Sequence, residues 1–215
     1  TNSQTRIPEA WLRSTEAIHR NVGDALRGAG YYYDRRKGYH SNQGVPRTKI
    51  VSIPYVAQCV MSLVLCRPDD ARARPSKLLK QDGDYNSVFT DRYPLAAYVK
   101  GVELTRNVEA FLQSEEDCTG KHRTNVRFHV ATCVYRLQRG QARAAGASKE
   151  ADALAKMDVD GATRTHGKVA YEMVWRIYQA ETEVDKLAKS RRFVIAIIDA
   201  VDTRLQELST TLPLF

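Results

Sequence analysis

The chain has 215 residues, 43% hydrophobic and 27% charged, with a net charge of +8. This balance excludes a disulfide scaffold, a collagen-like repeat or a wholly disordered polymer, and fits one large or two small globular domains. At this length about 70% of the surface exposed by the unfolded chain is removable from water, so folding needs no covalent staples. The charge is uneven: residues 1–80 hold 14 Lys/Arg against 6 Asp/Glu, and residues 81–215 hold 19 against 19. That divides the chain into a basic segment, 1–80, and a neutral one, 81–215, either as two units or as one continuous domain. A concentrated basic excess points to a polyanionic partner.

Thr1-Asn2-Ser3-Gln4 offers neither an initiator Met nor a basic-then-apolar targeting pattern, so the chain reads as a piece of a longer protein. Pro8 suits a first helical turn, where its missing N–H would have no partner. After Ser14 or Thr15 as cap, Ile18, Val22, Ala25 and Leu26 recur at helical spacing until Gly28 and Gly30, which predicts a helix over 8–29 in two pieces. The aromatic run 31–35, the polar loop 38–46 and the β-branched stretch 49–53 predict a small β element near residues 31–53, read as a hairpin. Pro54 then opens a helix to about Cys66, which Arg67-Pro68 stops. Short helical pieces follow at 71–74 and 76–80, with a turn at 81–86.

The remainder is helical in pattern. Leu104, Val108, Phe111 and Leu112 mark one amphipathic helix, and Val126, Val130, Val134 and Leu137 the next. A short helix over 149–156 lies between a Gly/Ala-rich stretch at 140–148 and a turn at 158–161. Val169, Met173, Ile177, Ala180, Val184 and Leu187 form one long stripe, and Val194, Ile197, Ile198, Val201, Leu205 and Leu208 another. The expected fold is mainly α: a helical bundle with a small β element near residues 31–53.

Cys59, Cys66, Cys118 and Cys133 show no C-x-x-C spacing and sit in apolar surroundings, which predicts buried reduced thiols and a cytoplasmic location. The longest apolar stretch, 50–66, is broken by Ser52, Pro54, Gln58 and Ser62 and is too short to cross a bilayer, so no membrane association is expected.

The densest polar motif is Tyr31-Tyr32-Tyr33-Asp34-Arg35-Arg36-Lys37. Guanidinium forks suit phosphates and tyrosine rings suit bases, so Tyr33, Arg35 and Lys37, with Arg47 and Lys49 across the loop, are candidate nucleic-acid contacts. Strand alternation would place Arg35 and Lys37 with Tyr33 on one face, and Arg36 with Asp34 and Tyr32 on the other. The plainer alternative is that Asp34 pairs with a neighbouring arginine and that the tyrosines only pack. Arg72 and Arg74 form a second basic patch, or equally local ion pairs with Asp69-Asp70 on a solvated turn.

A nuclease reading fits poorly, because Asp34 lies three residues before Lys37 and the acidic position of a Glu-x-Lys pair is occupied by Arg35. His19, His40, His122, His129 and His166 are scattered, giving no zinc spacing. Asp158-Val159-Asp160-Gly161 opens like a calcium loop, but its twelfth position is Val169 rather than glutamate. Gly-rich phosphate loops and nucleophile elbows are absent, so neither metal nor cofactor is expected.

Five blocks, read in order, resemble a known family: Thr1-Asn2-Ser3-Gln4-Thr5; Ile7-Pro8 with Trp11-Leu12-Arg13; Tyr32-Tyr33-Asp34-Arg35-Arg36-Lys37-Gly38-Tyr39; Lys49-Ile50-Val51 with Ala57-Gln58; and Arg67-Pro68 with Ala71-Arg72-Ala73-Arg74-Pro75. They resemble the later portion of the AIPR proteins, named for abortive-infection phage resistance. The resemblance covers about residues 1–80. It implies a C-terminal piece of a longer defence protein whose nuclease-like part lies upstream, and it carries over Asn2, Ser3, Gln4, Tyr33, Arg35, Arg36 and Lys37 as motif positions. The expectation is a nucleic-acid-engaging or sensing part without a complete catalytic site of its own. The alternative is a helical interaction or oligomerisation module, packing on the upstream region or on a second copy through the apolar run at 193–198.

Overall fold

The computed structural model describes residues 13–36, 38–73 and 83–211, which hold ten α-helices, one 3-10 turn and one two-stranded sheet. The expectation of a mainly α protein with a small β element holds.

Helix α1 (Ala17–Gly28) buries His19, Val22, Gly23 and Leu26 on one face. Its N-cap is Glu16 rather than Ser14 or Thr15, and no side chain caps it. Its end is closed by Gly30 at φ +78, whose N–H reaches Arg27 O at 3.0 Å while Tyr31 N–H reaches Leu26 O at 2.9 Å. Glycine tolerates that left-handed conformation, and the two bonds satisfy carbonyls the helix would otherwise leave open. Residues 8–12 of the expected first piece lie outside the described residues.

Strands β1 (Tyr32–Asp34) and β2 (Ile50–Ser52) pair in parallel, with Tyr32 opposite Ile50, Tyr33 opposite Val51 and Asp34 opposite Ser52. The expected hairpin is therefore corrected. The connection between the strands, which includes a 3-10 turn at Arg47–Lys49, is long enough to carry the chain back to its starting end, which a parallel pair requires.

Helix α2 (Ile53–Leu63) starts where Ser52 Oγ accepts the Tyr55 N–H at 3.3 Å and Pro54 occupies the first turn. It stops three residues before Cys66, whose φ of +54 redirects the chain ahead of Arg67-Pro68. Helix α3 (Pro68–Ala73) begins on the proline, and the short helix α4 (Tyr85–Val88) takes over the last two residues of the turn expected at 81–86, of which 83–84 do form a turn. The piece expected at 76–80 lies outside the described residues.

The bundle consists of α5 (Leu95–Ser114), α6 (Gly120–Arg139), α7 (Ala147–Ala155), α8 (Val159–Gln179), α9 (Val184–Leu187) and α10 (Arg191–Thr211). Helix α6 is its axis and packs against α2, α3, α5, α8 and α10. Every residue from Phe128 to Leu137 is buried, so this stretch of the helix is enclosed on all sides. Its polar side chains must then find partners inside: Thr132 Oγ1 donates to Phe128 O at 2.8 Å, and Asn125 Nδ2 donates to Tyr178 Oη at 2.8 Å. One connected apolar cluster takes in buried residues from Val22 to Val201. All four cysteines are free and buried, and burial pushes the Cys59 thiol up to about 12 and the Cys118 thiol up to about 11.

The turn expected at 158–161 is instead the start of α8. Asp158 is the N-cap, and its Oδ1 accepts the Gly161 N–H at 3.0 Å. A Cβ at Gly161 would meet the Asp158 carboxylate, which would have to shift to make room. Asp158→Ala is expected to cost about 1 kcal/mol, read as a fall of about 2–4 °C in Tm.

Candidate anion-binding cleft

The first turn and polar face of α1, strand β1 and the loop after it enclose a cleft of about 640 Å³. Gly23 makes the wall thin: a Cβ there would sit 3.1 Å from Tyr33 Cδ1, so its absence lets the Tyr33 ring lie directly on α1. Arg20, Asp24 and Arg27 follow one another at helical spacing along the rim, and Arg35 and Arg36 leave β1 on the same side.

The charges do not balance. Arg27 pairs with Asp24 at 2.9 Å, while Arg20 reaches only the Thr15 carbonyl at 3.0 Å. Arg35 makes one long bond to the Ser14 carbonyl at 3.4 Å, and it and Arg36 are exposed with no carboxylate partner among the described residues. Three guanidiniums therefore face the cleft with no carboxylate partner among the described residues. Beside them Tyr32 (43% exposed) and Tyr39 (63% exposed) flank His40 edge-to-face, with ring centroids 5.5 and 4.9 Å away.

Behind the arginines lies a buried hydrogen-bond chain. Tyr85 donates to Glu16 Oε2 at 2.6 Å, so its oxygen is left to accept from His19 Nε2 at 2.9 Å, and His19 Nδ1 then accepts from the Tyr33 hydroxyl at 2.8 Å. The single hydrogen of Tyr85 thereby fixes the neutral tautomer of His19. Burial lowers the His19 pKa to about 4; Glu16 opposes the shift, and Arg35 and Arg13 reinforce it. Burial likewise raises Tyr33 well above an ordinary tyrosine. The chain positions side chains, and neither His19 nor the two tyrosines in it carries a charge at neutral pH. It links this cleft to a second, of about 800 Å³, which Glu16 and Tyr85 line from the other side.

The structure distributes the sequence-derived candidates unevenly. Arg35, Arg36 and Tyr33 line the cleft, but Tyr33 is only 8% exposed and enters as wall, its hydroxyl spent on His19. The expected face alternation fails because β1 ends at Asp34: Tyr33 and Asp34 are both buried, and Arg35 already sits in a bend. Asp34 makes no ion pair among the described residues. Its Oδ2 accepts the Gly38 N–H at 2.8 Å and so shapes the loop. Lys49 stands beside the cleft with its ammonium 4.9 Å from the Tyr31 ring centroid, and Arg47 is exposed in the 3-10 turn. Arg72 is elsewhere: its guanidinium holds Asn125 Oδ1 at 2.9 and 2.7 Å and Asp185 Oδ1 at 3.2 Å, so it joins helices rather than a solvated turn. Asn2, Ser3, Gln4, Lys37 and Arg74 lie outside the described residues.

His19, Arg20, Arg27 and His40 were not anticipated as site residues, and of the tyrosines flanking the basic motif only Tyr33 was singled out. The spacing of Arg20, Asp24 and Arg27 on the polar face of an amphipathic helix was the available signal. Among the described residues no three His, Cys, Asp or Glu side chains gather as a metal site, and no helix is long and apolar enough to cross a membrane.

Fold and cleft together define a helical protein with a cationic, aromatic-edged groove built on a small parallel β element. The family model described as AIPR protein matches residues 1–202. The chain thus belongs to the AIPR family of abortive-infection, phage-resistance proteins, and the match runs through the helical bundle as well as the first 80 residues. No curated protein and no solved structure matches it.

Proposed function

We propose that the cleft is a nucleic-acid-engaging surface and that this chain contacts or senses nucleic acid within phage defence, without a complete catalytic site of its own. One observation carries the reading: three arginines without carboxylate partners among the described residues, Arg20, Arg35 and Arg36, converge on a cleft whose lip carries two exposed tyrosine rings. Guanidiniums neutralise phosphates, and exposed rings stack on bases only where those are unpaired. Lys49 and Arg47 extend the basic surface to one side. Arg72, held inside the fold by Asn125 and Asp185, stays out of it. The four buried free thiols fit a reducing, cytoplasmic setting.

Anisotropy titrations with single-stranded and duplex oligonucleotides test this. Single strands should bind more tightly, and Tyr32→Ala/Tyr39→Ala should weaken them by about 1–3 kcal/mol per stacked base while leaving duplex binding nearly unchanged. Absence of binding to any oligonucleotide at low salt would remove the reading.

A second reading, a helical assembly module, is favoured by α10. Within the run 193–198, Phe193, Val194 and Ile197 are buried, but Ile195 is 53% exposed, and Leu208 further along is 42% exposed. Light scattering of the wild type beside Ile195→Asp separates it: an assembly module self-associates and the variant does not.

A further inference from the structure

We propose that the groove between α5 and α6 is a separate anion site that takes one phosphate-sized dianion, inorganic phosphate or a phosphomonoester. The groove, of about 290 Å³, is lined from α5 by Arg106, Glu109 and Gln113 and from α6 by Gly120, Arg123, Thr124 and Arg127. Both sets fall at helical spacing, so each helix turns one polar face to the other.

Charge decides what such a groove takes. Among the described residues Glu109 is the one carboxylate that lines it, and it is shared: Arg106 reaches one oxygen at 2.7 Å and Arg127 the other at 2.9 Å. Arg123 makes no ion pair among the described residues. The groove therefore carries three positive charges against one negative. Arg106 and Arg127 are about three-quarters buried (24% and 26% exposed), and the Nε of each is enclosed without a hydrogen-bond partner among the described residues. Both guanidiniums lie over the Tyr55 ring, 4.4 and 5.9 Å from its centroid, which orients them without neutralising them. Glu115, on the loop before α6, is already committed to Lys168 at 2.8 Å. Half-buried cations in excess of their carboxylates are costly unless an anion completes the set.

The helix end adds to this. Gly120 brings the first turn of a 20-residue helix that has no acidic residue there and no side-chain cap, and Thr124, whose hydroxyl donates to Gly120 O at 3.3 Å, lines the groove beside it. A Cβ at Gly120 would meet nothing within 4 Å, so the backbone there is open to a ligand. Arginine forks together with first-turn amides match the oxygens of a phosphate better than the single charge of chloride. The site shares no lining residue with the α1 cleft and does not depend on the function proposed for it.

Thermal unfolding with inorganic phosphate, against chloride at matched ionic strength, tests the proposal. Wild type and Arg35→Ala/Arg36→Ala should both rise in Tm with phosphate. Arg123→Gln, which removes a side chain with no ion pair to lose, should need at least about tenfold more phosphate for the same rise. Oligonucleotides with and without a 5′-phosphate identify the source: a gain from the 5′-phosphate that Arg123→Gln abolishes assigns a nucleic-acid end, and no gain alongside intact phosphate binding assigns a free phosphate. An equal phosphate response in Arg123→Gln, a response lost only in Arg35→Ala/Arg36→Ala, or none beyond chloride in the wild type would overturn the proposal.

Discussion

Glu150→Ala should destabilise the protein by about 3–5 kcal/mol, the largest single-residue loss expected in the fold. Glu150 and Arg136 are both fully buried, with Arg136 Nη1 2.8 Å from Glu150 Oε2. The carboxylate also accepts the Tyr135 hydroxyl at 2.7 Å and the Ala145 N–H at 2.7 Å, and Arg136 Nη2 donates to Leu63 O at 3.1 Å. Burial alone would raise the Glu150 pKa, but the Ala145 N–H, the Tyr135 hydroxyl, Arg136 and Arg139 outweigh it and hold the carboxyl below its ordinary value. Removing the carboxylate strands a guanidinium in the core, and Tm should fall by about 10 °C. Arg136→Met combined with Glu150→Leu leaves neither charge behind and should recover most of the loss. Chemical denaturation of both variants beside the wild type measures both claims; a Glu150→Ala cost under about 1 kcal/mol would show that the pair is not what closes α6 against α7.

The second large effect is acid sensitivity above the range where carboxylates titrate. His19 has its pKa lowered to about 4 and His129 to about 3, in both cases chiefly by burial. His129 Nδ1 donates to Asn125 O at 3.2 Å, its Nε2 is enclosed without a partner among the described residues, and the Phe193 ring lies 4.7 Å away. A proton on Nε2 would therefore be a buried donor with no acceptor. Below about pH 6.5 the unfolded chain binds protons at both histidines and the folded chain does not, so stability falls as pH drops. Full stability is present above the unfolded value, and the loss runs down to the folded values near 4 and 3. Each histidine should remove about 2 kcal/mol between pH 8 and pH 5. Denaturation at those two pH values measures the drop, and His129→Asn should remove about half of it. A flat profile between them would mean that both rings protonate freely in the folded state.

How much of this was legible beforehand depended on whether a pattern was local. The helices α5, α6, α8 and α10 follow from three- and four-residue apolar spacing, since a helix's own periodicity reports the face it buries. The parallel pairing of β1 and β2 was not legible: a short strand carries no record of its partner's direction, which here is set by the loop between them. Asp158 looked like a turn residue because caps and turns use the same short acceptors, and only the helix after it decides between them. At the site, the basic motif lies in the segment that lines the proposed cleft. The choice of exposed rings did not follow, because β1 ends at Asp34 and buries Tyr33 against Gly23, leaving Tyr32 and Tyr39 outside. His19 gave no signal, since an apolar helix face holding one histidine looks like core until Tyr33 and Tyr85 arrive from distant positions in the chain.

The most direct test of the nucleic-acid reading is the salt dependence of duplex DNA binding, measured for the wild type and for Arg20→Ala/Arg35→Ala/Arg36→Ala. Each arginine that neutralises a phosphate adds about 0.9 to the slope of log affinity against log salt concentration. The three exposed cations stabilise little of the fold, so the variant should unfold within about 1 kcal/mol per residue of the wild type. The account predicts a slope lower by about 2–3 and weaker binding at low salt in the variant. An unchanged slope with unchanged affinity would contradict it and place any nucleic-acid contact away from the α1 cleft.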